Sequence, residues 1–171
     1  MNKPNRQAAM KTGPTTHKII IDEDIGLVFD SEDELYQHFQ NEIQILEKDF
    51  FSSRNSVTDF PEIDFQKYEE NLSDTLENPD EIWQDQQTFS GKRLMIYVKD
   101  FTHFKNSNQN SNQNPDQTPE ESLFHIAICY VTAETPSFVY LHFPTRDREL
   151  VKKYCRGELI YDRGEEEGFL G

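Results

Sequence analysis

The runs LMIYVKD at Leu94–Asp100, LFHIAICYVT at Leu123–Thr132 and FVYLHF at Phe138–Phe143 decide the fold of this chain. Alternate residues of a strand point to opposite sides of a sheet. Read that way, one side of all three runs is plain core: Leu94, Ile96 and Val98, then Phe124, Ile126 and Ile128, then Val139, Leu141 and Phe143. The other side is chemically loaded, with Met95, Tyr97 and Lys99, then His125, Ala127 and Cys129, then Tyr140 and His142. A sheet that gathers two histidines, two tyrosines and a lysine on one side is either an active surface or a solvated face. A slip of one residue in register would exchange the two sides.

Working outward, two helices are expected before these strands. Asp30 or Ser31 caps the first, with Glu32, Asp33 and Glu34 in the first turn, where carboxylates suit the helix dipole. Leu35, Phe39, Ile43, Leu46 and Phe50 keep helical spacing, and the helix should end near Phe51. The second runs from about Pro61 to Glu77 with Phe65, Tyr68, Leu72 and Leu76 as its stripe, and Asn78-Pro79 stops it. Short strands at Lys18–Ile21 and Leu27–Phe29 flank a turn at Glu23–Gly26, and Ile82-Trp83 either packs on the sheet or opens a strand. A turn at Glu134–Ser137 leads to the third run. Thr145 or Asp147 then caps a late helix with Leu150, Val151 and Tyr154 inward, Gly157 ends it, and Leu159–Asp162 is a final strand.

These elements make one α+β domain over residues 18–162, with N-terminal helices packed on one face of a mostly antiparallel sheet and one late helix. Residues 1–17 read as a disordered leader and 163–171 as an acidic tail. Residues 105–119, with NSNQ twice and no apolar side chain, read as a disordered Asn/Gln-rich hairpin loop without core contacts. A chain of 171 residues can bury one real core. An aromatic content of 12%, with thirteen phenylalanines, argues against wholesale disorder.

Charge is uneven. Residues 1–91 hold seven Lys or Arg against twenty Asp or Glu, and residues 92–171 hold ten against twelve, within a total of −15. Whole-molecule attraction to phosphate is therefore absent, and RNA would need a local basic patch. The two cysteines, Cys129 and Cys155, lack any CxxC neighbour, so they read as structural rather than as zinc ligands. No calcium loop, Gly-rich phosphate loop, GxSxG elbow or HExxH is present, and no metal or cofactor is expected. No apolar run approaches ~18 residues, so no membrane span is expected. The start lacks a signal-peptide core, which makes cytoplasmic residence the default expectation.

TLENPDEIW followed by RLMIYVK, then IAICYV and FVYLHFPTRD, resembles the phage-type branch of the barnase–EndoU–colicin–RelE-like nuclease-fold superfamily over about residues 57–146. The resemblance implies a metal-independent, toxin-like ribonuclease in which the ribose 2′-hydroxyl attacks the adjacent phosphate. His125 and His142 would then be base and acid, and Lys99 would hold the phosphate. Tyr97 and Tyr140 would stack a base or donate to an oxygen, and Arg146 would offer a planar fork to phosphate. The chain departs from the family pattern at Thr58-Asp59-Phe60-Pro61, where a histidine would stand before the proline. Plainer readings of the same residues remain. His125 and His142 are also good structural histidines, Lys99-Asp100 an ordinary exposed pair, and RDRELVKK a solvated helix face. A non-catalytic acidic module, of immunity or phosphate-mimic type, that docks a basic partner is the alternative function.

Overall fold

A computed structural model describes residues 18–102, 122–132 and 135–164. The leader at 1–17, the Asn/Gln-rich tract at 105–119 and the tail from 165 onward lie outside the described residues. The chain divides into two compact units, with the boundary between Asn41 and Glu42.

In the first unit, β1 (Ile19–Asp22) and β2 (Leu27–Phe29) form a two-stranded antiparallel sheet joined by a 3-10 turn at Glu23–Ile25. Helix α1 (Glu32–Ser53) starts here and crosses the boundary. Ser31 Oγ accepts from the Glu34 backbone N–H at 3.2 Å, and the Glu34 carboxylate accepts from Asp30 N at 3.1 Å. These reciprocal bonds satisfy amides that the first helical turn leaves open. Phe29 packs on His38 and Phe39, at ring-centroid distances of 5.2 and 6.3 Å.

The second unit holds a five-stranded antiparallel sheet in the order β6-β5-β4-β3-β7. Its strands are β3 (Glu81–Asp85), β4 (Leu94–Asp100), β5 (Phe124–Thr132), β6 (Thr135–Thr145) and β7 (Glu158–Asp162). Ile82-Trp83 thus opens a strand. Of the turn expected at Glu134–Ser137, Thr135 and Pro136 instead belong to the strand, paired with Thr132 and Val131. Pro136 and Pro144 are tolerated because β6 is an edge strand, where a missing donor breaks no ladder bond. Helix α3 (Arg148–Tyr154) is capped by Asp147, whose carboxylate accepts from Glu149 N at 2.9 Å. Gly157 has φ of 91°, and a Cβ there would stand 2.1 Å from the Gln84 carbonyl oxygen. Only glycine allows β7 to turn in beside β3. The architecture is α+β with an antiparallel sheet and a late helix, as the sequence implies.

The region expected as one helix from Pro61 to Glu77 is two pieces, a 3-10 segment at Glu62–Tyr68 and helix α2 (Asn71–Glu77). The spacing of three between Phe65 and Tyr68 suits a 3-10 turn, which puts every third side chain on one side. From Tyr68 the spacing of four to Leu72 and Leu76 suits an α-helix.

On one face of the sheet, Phe143 stacks on Phe50 of α1 at 4.1 Å and meets Tyr154 of α3 at 5.5 Å. Leu94, Ile96, Ile126, Ile128 and Phe143 are essentially inaccessible to solvent. On the other face, Met95, Tyr97, Ala127 and Cys129 pack under Leu72 and Leu76 of α2. The chemically loaded face is therefore neither open nor solvated.

Candidate functional site

Unbroken pairing of β4 with β5 sets Lys99 opposite His125, Tyr97 opposite Ala127 and Met95 opposite Cys129. On the other flank of β5, His142 pairs with Ala127 and Pro144 with His125. Lys99, Tyr97, His125 and His142 consequently share one face. Their convergence follows from strict alternation along β4, β5 and the C-terminal part of β6.

Tyr140 does not join them. The β5–β6 register shifts between Ile128 and Cys129, so Leu141 faces Ile128 while Val139 faces Cys129. The extra residue of this bulge is Tyr140. Its ring packs on Phe138 at 5.3 Å and near Phe89 at 6.3 Å, and burial together with the Glu42 charge raises its phenol. A bulge places two successive side chains on nearly the same side. Simple alternation could not anticipate that.

The two histidines form one unit. His125 Nε2 and His142 Nδ1 are 3.1 Å apart. His125 is 0% exposed, and its Nδ1 has no hydrogen-bond partner. Burial, and then the neighbouring His142, push its pKa down to about 3. His142 is half-buried; burial lowers it too, against the opposing pull of Glu69. Both rings are neutral at neutral pH. The two rings expected as base and acid thus lie side by side and share a hydrogen bond.

Lys99 is 9% exposed rather than half of an ordinary surface pair. Its Nζ donates to the Asn78 carbonyl at 2.8 Å, lies 3.8 Å from Asp74 Oδ2 and stands 5.7 Å from the Phe101 ring centroid. Tyr97 is buried, and burial raises its phenol to about 12, so it remains a donor at any ordinary pH. Arg146 lies apart from the histidines, its guanidinium 4.3 Å over the Phe60 ring and its Nε buried without a partner. Asp59, where the family pattern would have its histidine region, is a buried buttress. Its carboxylate accepts from Thr145 Oγ1 and, at 2.9 Å, from Arg146 N.

Sequence reasoning missed a cleft of about 810 Å³ at the C-terminal end of β4, lined in part by Lys99, Asp80, Asp100, Arg148 and Arg163. Asp80 organises it, accepting from Asp100 N at 2.7 Å and pairing with Arg163 at 3.3 Å. Arg148 lies 5.1 Å over Phe124, and it, Val151 and Lys152 of the RDRELVKK cluster line the cleft, although Arg148 remains exposed to solvent. The Pro-Asp turn after α2 was the available signal for Asp80. Cys129 is buried and Cys155 half-buried beside Glu81, and burial raises both thiols to about 12, which leaves them inert. Among the described residues, no three His, Cys, Asp or Glu are gathered as metal ligands, and no helix is long and apolar enough to cross a membrane.

Comparison with known families adds one finding. The model of the family described as phage-Barnase-EndoU-ColicinE5/D-RelE like nuclease2 matches residues 21–162. No curated protein and no solved structure matches the chain.

Proposed function

The chain belongs to the phage-Barnase-EndoU-ColicinE5/D-RelE like nuclease family, and from that premise we propose that it is a toxin-like ribonuclease working without a metal ion. The observation that carries this reading is the sharing of one sheet face by Lys99, Tyr97 and the hydrogen-bonded His125–His142 pair. His142 is the proton-transfer group. Its Nδ1 is engaged by His125, which leaves Nε2 for substrate. Because burial holds it below its ordinary value, it is unprotonated at neutral pH and competent as a base. The ribose 2′-hydroxyl gives its proton to Nε2 as the 2′-oxygen attacks the adjacent phosphorus. The bond to the 5′-oxygen breaks, that oxygen takes a proton from solvent, and a 2′,3′-cyclic phosphate remains. Lys99 offsets the charge that grows on the phosphoryl oxygens. His125 touches no substrate; it is a positioning residue that fixes the His142 ring.

Purified protein incubated with mixed RNA in EDTA should yield 2′,3′-cyclic ends. His142→Ala should lower the rate by about 10²-fold or more. His125→Ala should cost less and shift the pH profile. Cleavage unchanged in His142→Ala would overturn the assignment.

A second reading is favoured by charge. The total of −15 and the cleft carboxylates Asp80, Glu81, Asp100 and Asp162 suit docking of a basic protein. Salt-sensitive capture of such a partner, with no RNA cleavage, would select it.

A further inference from the structure

One segment touches two groups of the proposed site, Lys99 and Tyr97, and its charge acts on a third, His142. Between Pro61 and Pro79, residues 62–77 carry six carboxylates and a single lysine. From this segment Asp74 reaches Lys99 at 3.8 Å, and Leu72 and Leu76 lie over Tyr97. Glu69 supplies the negative charge felt by His142. Just past its end, the Asn78 carbonyl takes the Lys99 ammonium at 2.8 Å. An RNA backbone would bring the same chemistry, negative oxygens, to the same two places.

The segment is also shallowly held. Thr75 is its only buried residue, and Phe65, Tyr68, Leu72 and Leu76 are all partly exposed. The strands beneath it are closed to solvent. Elements with few buried contacts open locally at a fraction of the global unfolding cost. Lys99 is nearly buried and its ammonium is held by Asp74 and the Asn78 carbonyl, so an RNA phosphate must displace this end of the segment to engage it.

We propose that Glu62–Glu77 is an autoinhibitory cover in which Asp74 holds Lys99 where an RNA phosphate would bind and Glu69 adds to the negative charge of the covered face, so that substrate and cover exclude each other. This rests on the reading of that face as the RNA site. It also accounts for part of the acidity beside the site, that of Asp74 and Glu69, which belongs to the part that moves away.

The test is fluorescence anisotropy of a labelled single-stranded RNA oligonucleotide, with cleavage followed in parallel. Glu69→Gln/Asp74→Asn removes the two carboxylates from half-exposed or exposed positions and should leave the fold intact. Leu72→Ala loosens the anchor, and hydrogen exchange should show α2 amides opening while β5 amides stay protected. Both variants should bind RNA at least about tenfold more tightly at low salt. A control of equal charge, Glu47→Gln/Glu149→Gln on exposed positions outside the cover, should gain much less. RNA affinity unchanged in both cover variants, or an equal gain in the control, would overturn the cover. Tighter binding without any cleavage would uphold the cover and end the ribonuclease reading. Wild-type cleavage that neither variant accelerates would do the reverse.

Discussion

The strands β4 and β5 and the segment that lies over them are neighbours built to opposite standards. Along β4 and β5, nearly every residue is buried, including His125 and Lys99, and seven consecutive residue pairs hold register without a break. The cover at residues 62–77 breaks into a 3-10 piece and a seven-residue helix, and it buries one threonine. The strands are held by ladder bonds and by packing on both faces. The cover has packing on one face and no ladder. Burial and pairing are therefore distributed by layer, and the candidate site lies between the two layers.

The largest effect should come from cutting into the sheet. Ile126 is fully buried, so Ile126→Ala should cost ~3–4 kcal/mol in urea unfolding, whereas Leu72→Ala in the cover should cost ~1–2 kcal/mol. Equal costs would erase the distinction between the layers.

The cover's entry should be much firmer than its body. Asp59→Ala strips acceptors from Thr145 Oγ1 and from Arg146 N, both of which tie the chain before Pro61 to β6. A loss of ~2–3 kcal/mol is expected, since buried donors are left unpaired. A loss below about 0.5 kcal/mol would show that the entry is as loose as the rest.

Acid should loosen the boundary between the layers. Both histidines are depressed by burial, so the folded protein binds fewer protons there than the unfolded chain. Their stabilisation is complete above the unfolded value near 6.5 and is lost as pH falls toward the folded values, to about 3 for His125. Between pH 6.5 and 5, before most carboxylates titrate, each histidine can contribute a slope of at most about 1.4 kcal/mol per pH unit. A His125→Gln/His142→Gln protein should lose that slope in urea melts at stepped pH. Parallel curves for the two proteins would refute the coupling.

The smallest effect should come from a helix cap on the other face of the sheet. Asp147→Ala removes the cap of α3 and should cost ~1 kcal/mol, with no change in the cover's hydrogen exchange. A faster-exchanging cover would mean that α3 and the cover open together.

The contrast between layers also separates what could be read early from what could not. The runs at Leu94–Asp100 and Leu123–Thr132 were legible because a strand's side chains repeat every two residues, so the residues sharing a face follow from counting. Lys99, Tyr97 and His125 were placed together on that basis, and His142 joined them. Tyr140 was lost to a bulge, because one unpaired backbone residue leaves no mark in the pattern of apolar and polar side chains. The pairs Asp30 or Ser31 and Thr145 or Asp147 marked two helix starts, because a cap bonds locally and needs no distant partner; Gly157 lies beyond Cys155, which ends α3, and its backbone answers to Gln84 instead.

Everything about accessibility was out of reach of the sequence. The spacing of Phe65, Tyr68, Leu72 and Leu76 shows an apolar stripe but not which surface it covers, and it covers the face that carries the candidate chemistry. Asp59, Thr145 and Arg146 meet across more than eighty residues, as do Asp80 and Arg163. The amino-acid order determined the elements and their faces, because periodicity and capping are local. Only the tertiary structure decided which face is closed, that two histidines share one hydrogen bond, and where the acidic segment lies, because burial and electrostatic fields depend on what the rest of the chain brings alongside.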